Sequence, residues 1–510
     1  MFRNLPSSMP SEASLVHLGE AMIQQLEDGE LDKPLGTADD DENTAQMDGS
    51  LRLPAGYTYF GQFVDHDITF DPVSSLTRQD DPDGLVDFRT PRFDLDSLYG
   101  KGPADQPYLY EADGVHLAPG LAVSQDVDIA GPDLPRVATG RAIVGDPRND
   151  ENLIVSQLQS TFIRFHNAVL TEVGNANPNL SKDDVFKLAQ QKVRWHYQWV
   201  VVHDYLQRLV GKAVVDDILA PEPYVAGDGP QEVPLSSSPR LRFYSWHEQP
   251  YMPVEFSVAA YRFGHSMVRP SYLINDVAVA APPVAGASRI PLFSQTGEPK
   301  QSLNGFRVLP DSWGVEWKFF LPNIHSGKPG TDNLPQPSYK LDATLSHPLG
   351  ALTAATAGPE LIVAGFDPAI AQILAVRNLI RGLRLGLPSG QDVARAMGLE
   401  PLSDAELFGN VTLDESVKKD LGGRVPLWFY VLKEAEVQTG SAHLGAVGGR
   451  IVAEVLIGLL SGDPLSFLNV QPNWTPTLPS AAAGTFTLSD LINVAIPAPD
   501  APLPPVYPPQ

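Results

Sequence analysis

The sequence predicts a mainly α chain with few strands. Three stretches carry that expectation. Ile154, Leu158, Phe162, Phe165 and Val169 recur at helical spacing. Phe186, Ala189, Val193, Tyr197 and Val200 do the same within a pattern running from Lys182 to about Val210. A largely apolar run, Val254 to Val268, stops before Pro270, because the residue preceding a proline avoids helical dihedrals. Stripes of this period bury one face of a helix against a core.

The composition bounds what such a chain can do. It has 510 residues, 43% hydrophobic, with 21 Phe, 15 Tyr and 7 Trp, enough apolar material for a large core. Length alone sets a soft prior of about three domains. The net charge of −25 excludes a general binder of nucleic acid or anionic membrane. That charge suits calcium binding, and solubility explains it equally well. With no cysteine, disulfides, thiolate metal sites, iron–sulfur clusters and cysteine nucleophiles are all excluded. Met1 to Glu12 lacks a basic stretch followed by an apolar one, so a cytoplasmic or leaderless-secreted protein is expected. No run of about 20 apolar residues predicts a transmembrane helix.

In chain order, residues 1–50 read as a polar, acidic arm with one short helix near Ser11 to Glu27 and the run Asp39-Asp40-Asp41-Glu42. Leu53-Pro54-Ala55-Gly56 marks a turn. The next stretch, Phe60-Gly61-Gln62-Phe63-Val64-Asp65-His66-Asp67, sets polar groups among aromatic and branched ones. A buried carboxylate needs a partner, so Asp65 and Asp67 each call for a metal, a cation or a covalent bond. On a helix Gln62, Asp65 and His66 share one face, and Asp67 points about 100° away from His66. The segment can therefore serve two sites.

Thr90-Pro91-Arg92-Phe93-Asp94-Leu95-Asp96 sets oxygen groups at alternate positions, which a looped backbone can converge on one hard cation. The spacing is not that of an EF-hand. Residues 101–140 read as an irregular excursion. A helix is expected to start near Asn149 or Asp150, after Gly145-Asp146-Pro147-Arg148. Residues 211–250, rich in Pro and Gly, give no clear element, and residues 271–350 mix short strands with loops. His265 sits deep in its apolar run, and Gly264 beside it would let a flat group approach. Residues 351–385 read as helical, with Gly386 and Pro388 as the stop. Gln391 to Met397, Asp404 to Leu407 and Ala442 to Leu460 read as further helices. The division expected is an arm over 1–50, a main domain over 51–468 and a Pro-rich tail over 469–510.

Five of these motifs, in this order between about residues 51 and 440, resemble those of the animal-type haem peroxidases of the peroxidase–cyclooxygenase superfamily, in a bacterial form. The resemblance implies a helical fold with haem between the helices near 60–68 and 254–268. By likeness, His66 is the distal histidine, Gln62 holds distal water or halide, and Arg148 is the catalytic arginine. His265 is the axial iron ligand, with Asn378 behind it and Arg262 and Arg381 facing the haem propionates. Asp65 and Glu151 fall where the family forms ester links to haem b. Asp67, Thr90, Arg92 (through its carbonyl), Asp94 and Asp96 fall on the calcium ligands. The implied activity is reduction of H2O2 with oxidation of halides, thiocyanate or small aromatic donors through a ferryl intermediate.

Some positions depart from the pattern. Asn152 stands where myeloperoxidase has a methionine bonded to a haem vinyl, so that link is expected to be absent. Arg262 occupies the place, three residues before the proximal histidine, of the radical tyrosine of fatty-acid dioxygenases. Tyr261 lies one residue further off. A fatty-acid dioxygenase and a non-enzymatic haem- or calcium-binding protein stay as alternatives.

Overall fold

A computed structural model describes residues 1–24, 53–69, 87, 89–122, 132–220, 239–277, 289–293, 302–324, 335–352 and 367–497. The acidic run at 39–42 and the final stretch from 498 lie outside them. The architecture is mainly α, and the strand pairing among the described residues is a short antiparallel pair, Ser271–Tyr272 with Ile290–Pro291.

The centre is an aromatic core gathered on three helices. Helix Gly56–Ile68 is buried along nearly its whole length. It packs on helix Leu153–Ala176, which packs in turn on helix Lys182–Val200. Phe63 stacks on Phe162 with ring centroids 4.4 Å apart, and Tyr197 meets Phe60, Phe63, Phe93 and Phe162 edge-on. Edge-to-face geometry suits the ring quadrupoles and adds to the area they bury. All five residues of the stripe from Ile154 to Val169 are buried.

The long helix begins later than its sequence suggests. Asn149 and Asp150 belong to a 3-10 turn, Pro147–Asp150, with Asp146 accepting from the Arg148 N–H. The α-helix starts at Leu153, and the Asn152 side chain caps it by accepting from Val155 N–H at 2.9 Å. An asparagine oxygen satisfies a donor that the first turn otherwise leaves unpaired. The break matters, because it frees Arg148, Asn149 and Glu151 to turn toward the helix that holds His66.

The apolar run around His265 also departs from a regular helix. Glu255–Ala259 forms a π turn and Ala260–His265 a 3-10 segment. Helix Lys182–Val200 likewise continues into a π turn, Val201–Leu206. Helix Leu427–Thr439 packs behind the 3-10 segment and beside helices Leu374–Arg384 and Ala446–Gly462. Of the N-terminal residues, helix Glu12–Ala21 lies against Leu374–Arg384. Near the other end, helix Leu488–Ala495 packs on Leu153–Ala176, opened by a capping box of Thr487 and Asp490.

Candidate active site

His66 sits in the last turn of its helix, 4% exposed. Its Nδ1 lies 2.7 Å from Asn149 Oδ1. Its Nε2 faces Glu151 Oε2 at 3.9 Å. Burial, followed by the nearby Arg148 guanidinium, pulls its pKa down to about 4. The imidazole is therefore neutral across the physiological range, as a base that must accept a proton requires.

Arg148 is held on three sides. Its Nε and Nη2 reach the Asp146 carboxylate, with Nη2 at 2.8 Å, and the same Nη2 donates to the His66 carbonyl at 3.0 Å and to the Thr69 carbonyl. The two arginine bonds on Asp146 hold its carboxyl down at about 2, against a burial that pushes the other way. Gln62 is tied in through Asn152, whose amide donates to Gln62 Oε1 at 3.0 Å. Asp65 is half-buried and accepts from the Thr69 hydroxyl at 3.1 Å. Gln62, His66, Arg148 and Glu151 thus converge, joined by Asn149 and Asn152.

On the other face of the same helix, Asp67, Asp94 and Asp96 bring carboxylate oxygens within 4.8 Å of one another. Asp67 is fully buried, and one oxygen accepts from Leu95 N–H at 3.3 Å while Oδ1 has no hydrogen-bond partner. The Tyr197 hydroxyl stands near it without closing a hydrogen bond. Burial and the neighbouring carboxylates raise the pKa of Asp67 well above the ordinary range and that of Asp94 to about 6. An orphaned buried oxygen among three carboxylates fits a hard cation of the calcium type. Thr90 is exposed, and its carbonyl accepts from Arg92 N–H at 2.7 Å. Arg89, which the sequence reading passes over, joins Asp96 at 2.8 Å to Asp146 at 2.6 Å. Gly145 permits this closeness, since a Cβ there would stand 2.6 Å from the Ser97 carbonyl.

The second histidine has a barer setting. His265 Nδ1 lies 2.8 Å from Asn378 Nδ2, an amide whose oxygen and nitrogen exchange places on a half-turn of the side chain. With the amide turned so that its carbonyl accepts from Nδ1–H, Nε2 would keep a lone pair for a metal. Burial, then the charges of Arg262 and Arg377, lowers the His265 pKa to about 3. A Cβ on Gly264 would meet nothing within 4 Å, so space lies open beside the ring. A neutral imidazole with one nitrogen engaged and open space alongside fits an axial haem ligand. Arg262 Nε donates to the Ser257 carbonyl at 3.0 Å, and Arg381 lies half-buried one turn beyond Asn378. Tyr261 crosses to the other helix, donating to the Gly61 carbonyl at 3.3 Å and pairing with Tyr205 at 3.1 Å.

Sequence reasoning missed Asn149, Asn152, Gln159 and Arg89. A signal existed for Asn152, a capping residue just before an apolar stripe. None existed for the others, whose partners are distant in the chain.

The mainly α fold has counterparts of known structure. Peroxidase A of Dictyostelium discoideum is 16% identical, with TM-score 0.53, over 91% of this chain and 85% of that one. A fatty acid alpha-dioxygenase of Arabidopsis thaliana is also 16% identical, with TM-score 0.56, over 96% of this chain and 76% of that one. These likenesses show that the chain shares its fold with these two proteins.

Residues 77–306 match the family model described as animal haem peroxidase. The Dual oxidase of Drosophila melanogaster is 25% identical over 134 residues, 26% of this chain and 7% of that protein. The Eosinophil peroxidase of Mus musculus is 27% identical over 152 residues, 30% of this chain and 18% of that protein. The matched segments thus span less than a fifth of these two relatives. The matched segment contains Arg148 and His265, and His66 lies before it.

Proposed function

We propose that the chain is a haem-dependent peroxidase that reduces H2O2 and oxidises halides, thiocyanate or small aromatic donors. The observation that supports it most is the His66 ring, neutral and buried, with Nδ1 on Asn149 and the Arg148 guanidinium beside it. Haem, held by His265 through Nε2, supplies when bound the iron at which the O–O bond of the peroxide is cleaved.

The chain's own residues do the rest. His66 Nε2 takes the proton from the entering peroxide and returns it to the departing oxygen. Arg148 stays cationic throughout and stabilises the charge developing on that oxygen. Asn378 fixes the His265 tautomer, and as a neutral amide it pushes less electron density toward the metal than a carboxylate would. Gln62, held by Asn152, orders water or halide near His66. Asp65 and Glu151 are the proposed ester links to the haem. Asp67, Asp94, Asp96, the Arg92 carbonyl and Thr90 are the proposed calcium ligands, and that ion would tie the loop to the helix that carries His66.

A fatty-acid dioxygenase is the second reading, suggested by the fold it shares with such an enzyme. Arg262 in the tyrosine position speaks against it, as does Tyr261 bound to Tyr205 and Gly61. The test is an absorption spectrum before and after acid–acetone extraction, followed by turnover of guaiacol or bromide with H2O2. A Soret band with turnover supports the peroxidase. Oxygen uptake with an unsaturated fatty acid and no peroxide supply would replace it with the dioxygenase. No Soret band after haem is added back would refute both.

A further inference from the structure

Behind His66 runs a chain of buried amides, of which the reading above uses only the contact with Asn149. Asn149 Oδ1 faces His66 Nδ1 at 2.7 Å. Asn149 Nδ2 donates to Gln159 Oε1 at 2.8 Å, and Gln159 Nε2 donates to the Ser97 carbonyl at 3.5 Å. Asn149 is fully buried and Gln159 is 1% exposed, so water offers neither an alternative partner.

The last link sets the sense of the whole chain. A main-chain carbonyl oxygen has lone pairs and no proton, so it only accepts. The Ser97 carbonyl also takes the Gly145 N–H at 3.1 Å, which pins it in place. Gln159 must therefore present its NH2 to Ser97 and its carbonyl to Asn149. Asn149 must then present its NH2 to Gln159 and its carbonyl to His66. Facing a carbonyl, His66 Nδ1 must carry the proton. Turning both amides over would set the Gln159 oxygen against the Ser97 oxygen, two acceptors with nothing between them.

We propose that Asn149 and Gln159 form a one-way amide relay, anchored on the Ser97 carbonyl, that locks His66 as the Nδ1–H tautomer and keeps the Nε2 lone pair directed into the pocket. Both are positioning residues, and Gln159 acts through Asn149. The relay also starts one residue after Asp96, so the loop that carries the candidate cation site holds the proton register of the base. The use of Nε2 as a base rests on the peroxidase reading, whereas the tautomer itself does not.

The test is nitrogen NMR of protein labelled with 15N-histidine, in the ferrous carbon-monoxide form, with the His66 signals assigned from a His66→Gln sample. Expected in the wild type is one tautomer, Nδ1 protonated and Nε2 bare. Asn149→Leu and Gln159→Leu should each give a mixture of the two tautomers. Asn149→Asp should keep the Nδ1–H form, since a carboxylate oxygen still only accepts. A wild-type spectrum with Nδ1 bare overturns the relay without any variant. So does a Gln159→Leu spectrum identical to wild type. Should the purified protein show no Soret band, the peroxidase reading fails, and the same spectra of the haem-free protein still decide the tautomer.

Discussion

The two histidines are held in opposite ways. His66 stands on a regular helix and is braced from outside it by Asn149, Gln159, Arg148 and Asp146. His265 stands on a π turn run into a 3-10 segment and has one side-chain hydrogen bond, to Asn378. Behind Asn378 lies an apolar cleft lined by Leu15, Val258, Leu379, Leu383 and Trp428. The difference follows from the tasks proposed. A base must keep its proton register, which takes a polar network. A metal ligand needs mainly a direction and a dry surrounding, which one amide and packing supply.

Replacing each histidine should separate the two sides most sharply. His265→Ala should abolish the Soret band of the purified protein. His66→Ala should keep the band and lose about 10²- to 10⁴-fold in peroxide turnover, the usual worth of a positioned general base. Equal loss of haem from both variants would erase the distinction. Arg148→Gln should follow, with turnover lower by about 10²- to 10³-fold, as when a stabilising donor is removed, and with haem retained.

The carboxylate cluster should change sign with calcium. In EGTA, Asp67→Asn should raise the melting temperature, because it removes a carboxyl whose ionised form burial, Asp94 and Asp96 all oppose in the folded state. With calcium present it should lower it, because it removes a ligand. A shift of the same sign in both buffers would count against a cation there.

The pH response should be smaller and shared. His66, His166 and His203 have folded-state values near 4, and His196 and His265 near 3, all below 6.5. As pH falls through 6.5 the unfolded chain takes up these protons first, so stability drops from pH 6.5 toward 4 and is regained on the way back. Asp94 and Asp342, raised to about 6, and Glu434, raised to about 7, pull the other way, since folding favours their protonated forms below those values. Asp67, Asp96 and Asp150, also raised by burial, act in the same direction. A cation that keeps Asp67, Asp94 and Asp96 ionised removes their share of that opposition, so acidification should cost more stability with calcium than in EGTA. Urea melts at pH 6.5 and 4.5 would show it. The mildest change is Tyr261→Phe, expected to cost about 1 kcal/mol for a lost hydrogen bond and to leave turnover within twofold.

Much of this layout was legible in the residues. The stripes along Ile154 and Phe186 name the buried faces of their helices, and the alternation of oxygen groups near Asp94 anticipates a carboxylate cluster. The rest was hidden for physical reasons. Leu427 through Ala435 is buried on every side, so helix Leu427–Thr439 lacks the period that reveals a half-buried one. Helix Leu488–Ala495 is masked by the prolines around it, although its Thr487 and Asp490 box was there to read. Asn149 looks like a helix start until its partner, 83 residues away, is seen. The sequence also suggested a regular helix around His265, because period and composition do not distinguish an α turn from a π turn.

That π turn makes the proximal side sensitive to length as well as to chemistry. A π turn closes its hydrogen bond one residue later than an α turn, so it advances every following side chain by roughly 100°. Removing any one codon between Glu255 and Ala259 would leave composition and hydropathy nearly unchanged. It would still rotate His265 off Asn378, an error of phase that a substitution scan passes over and a deletion scan finds at once.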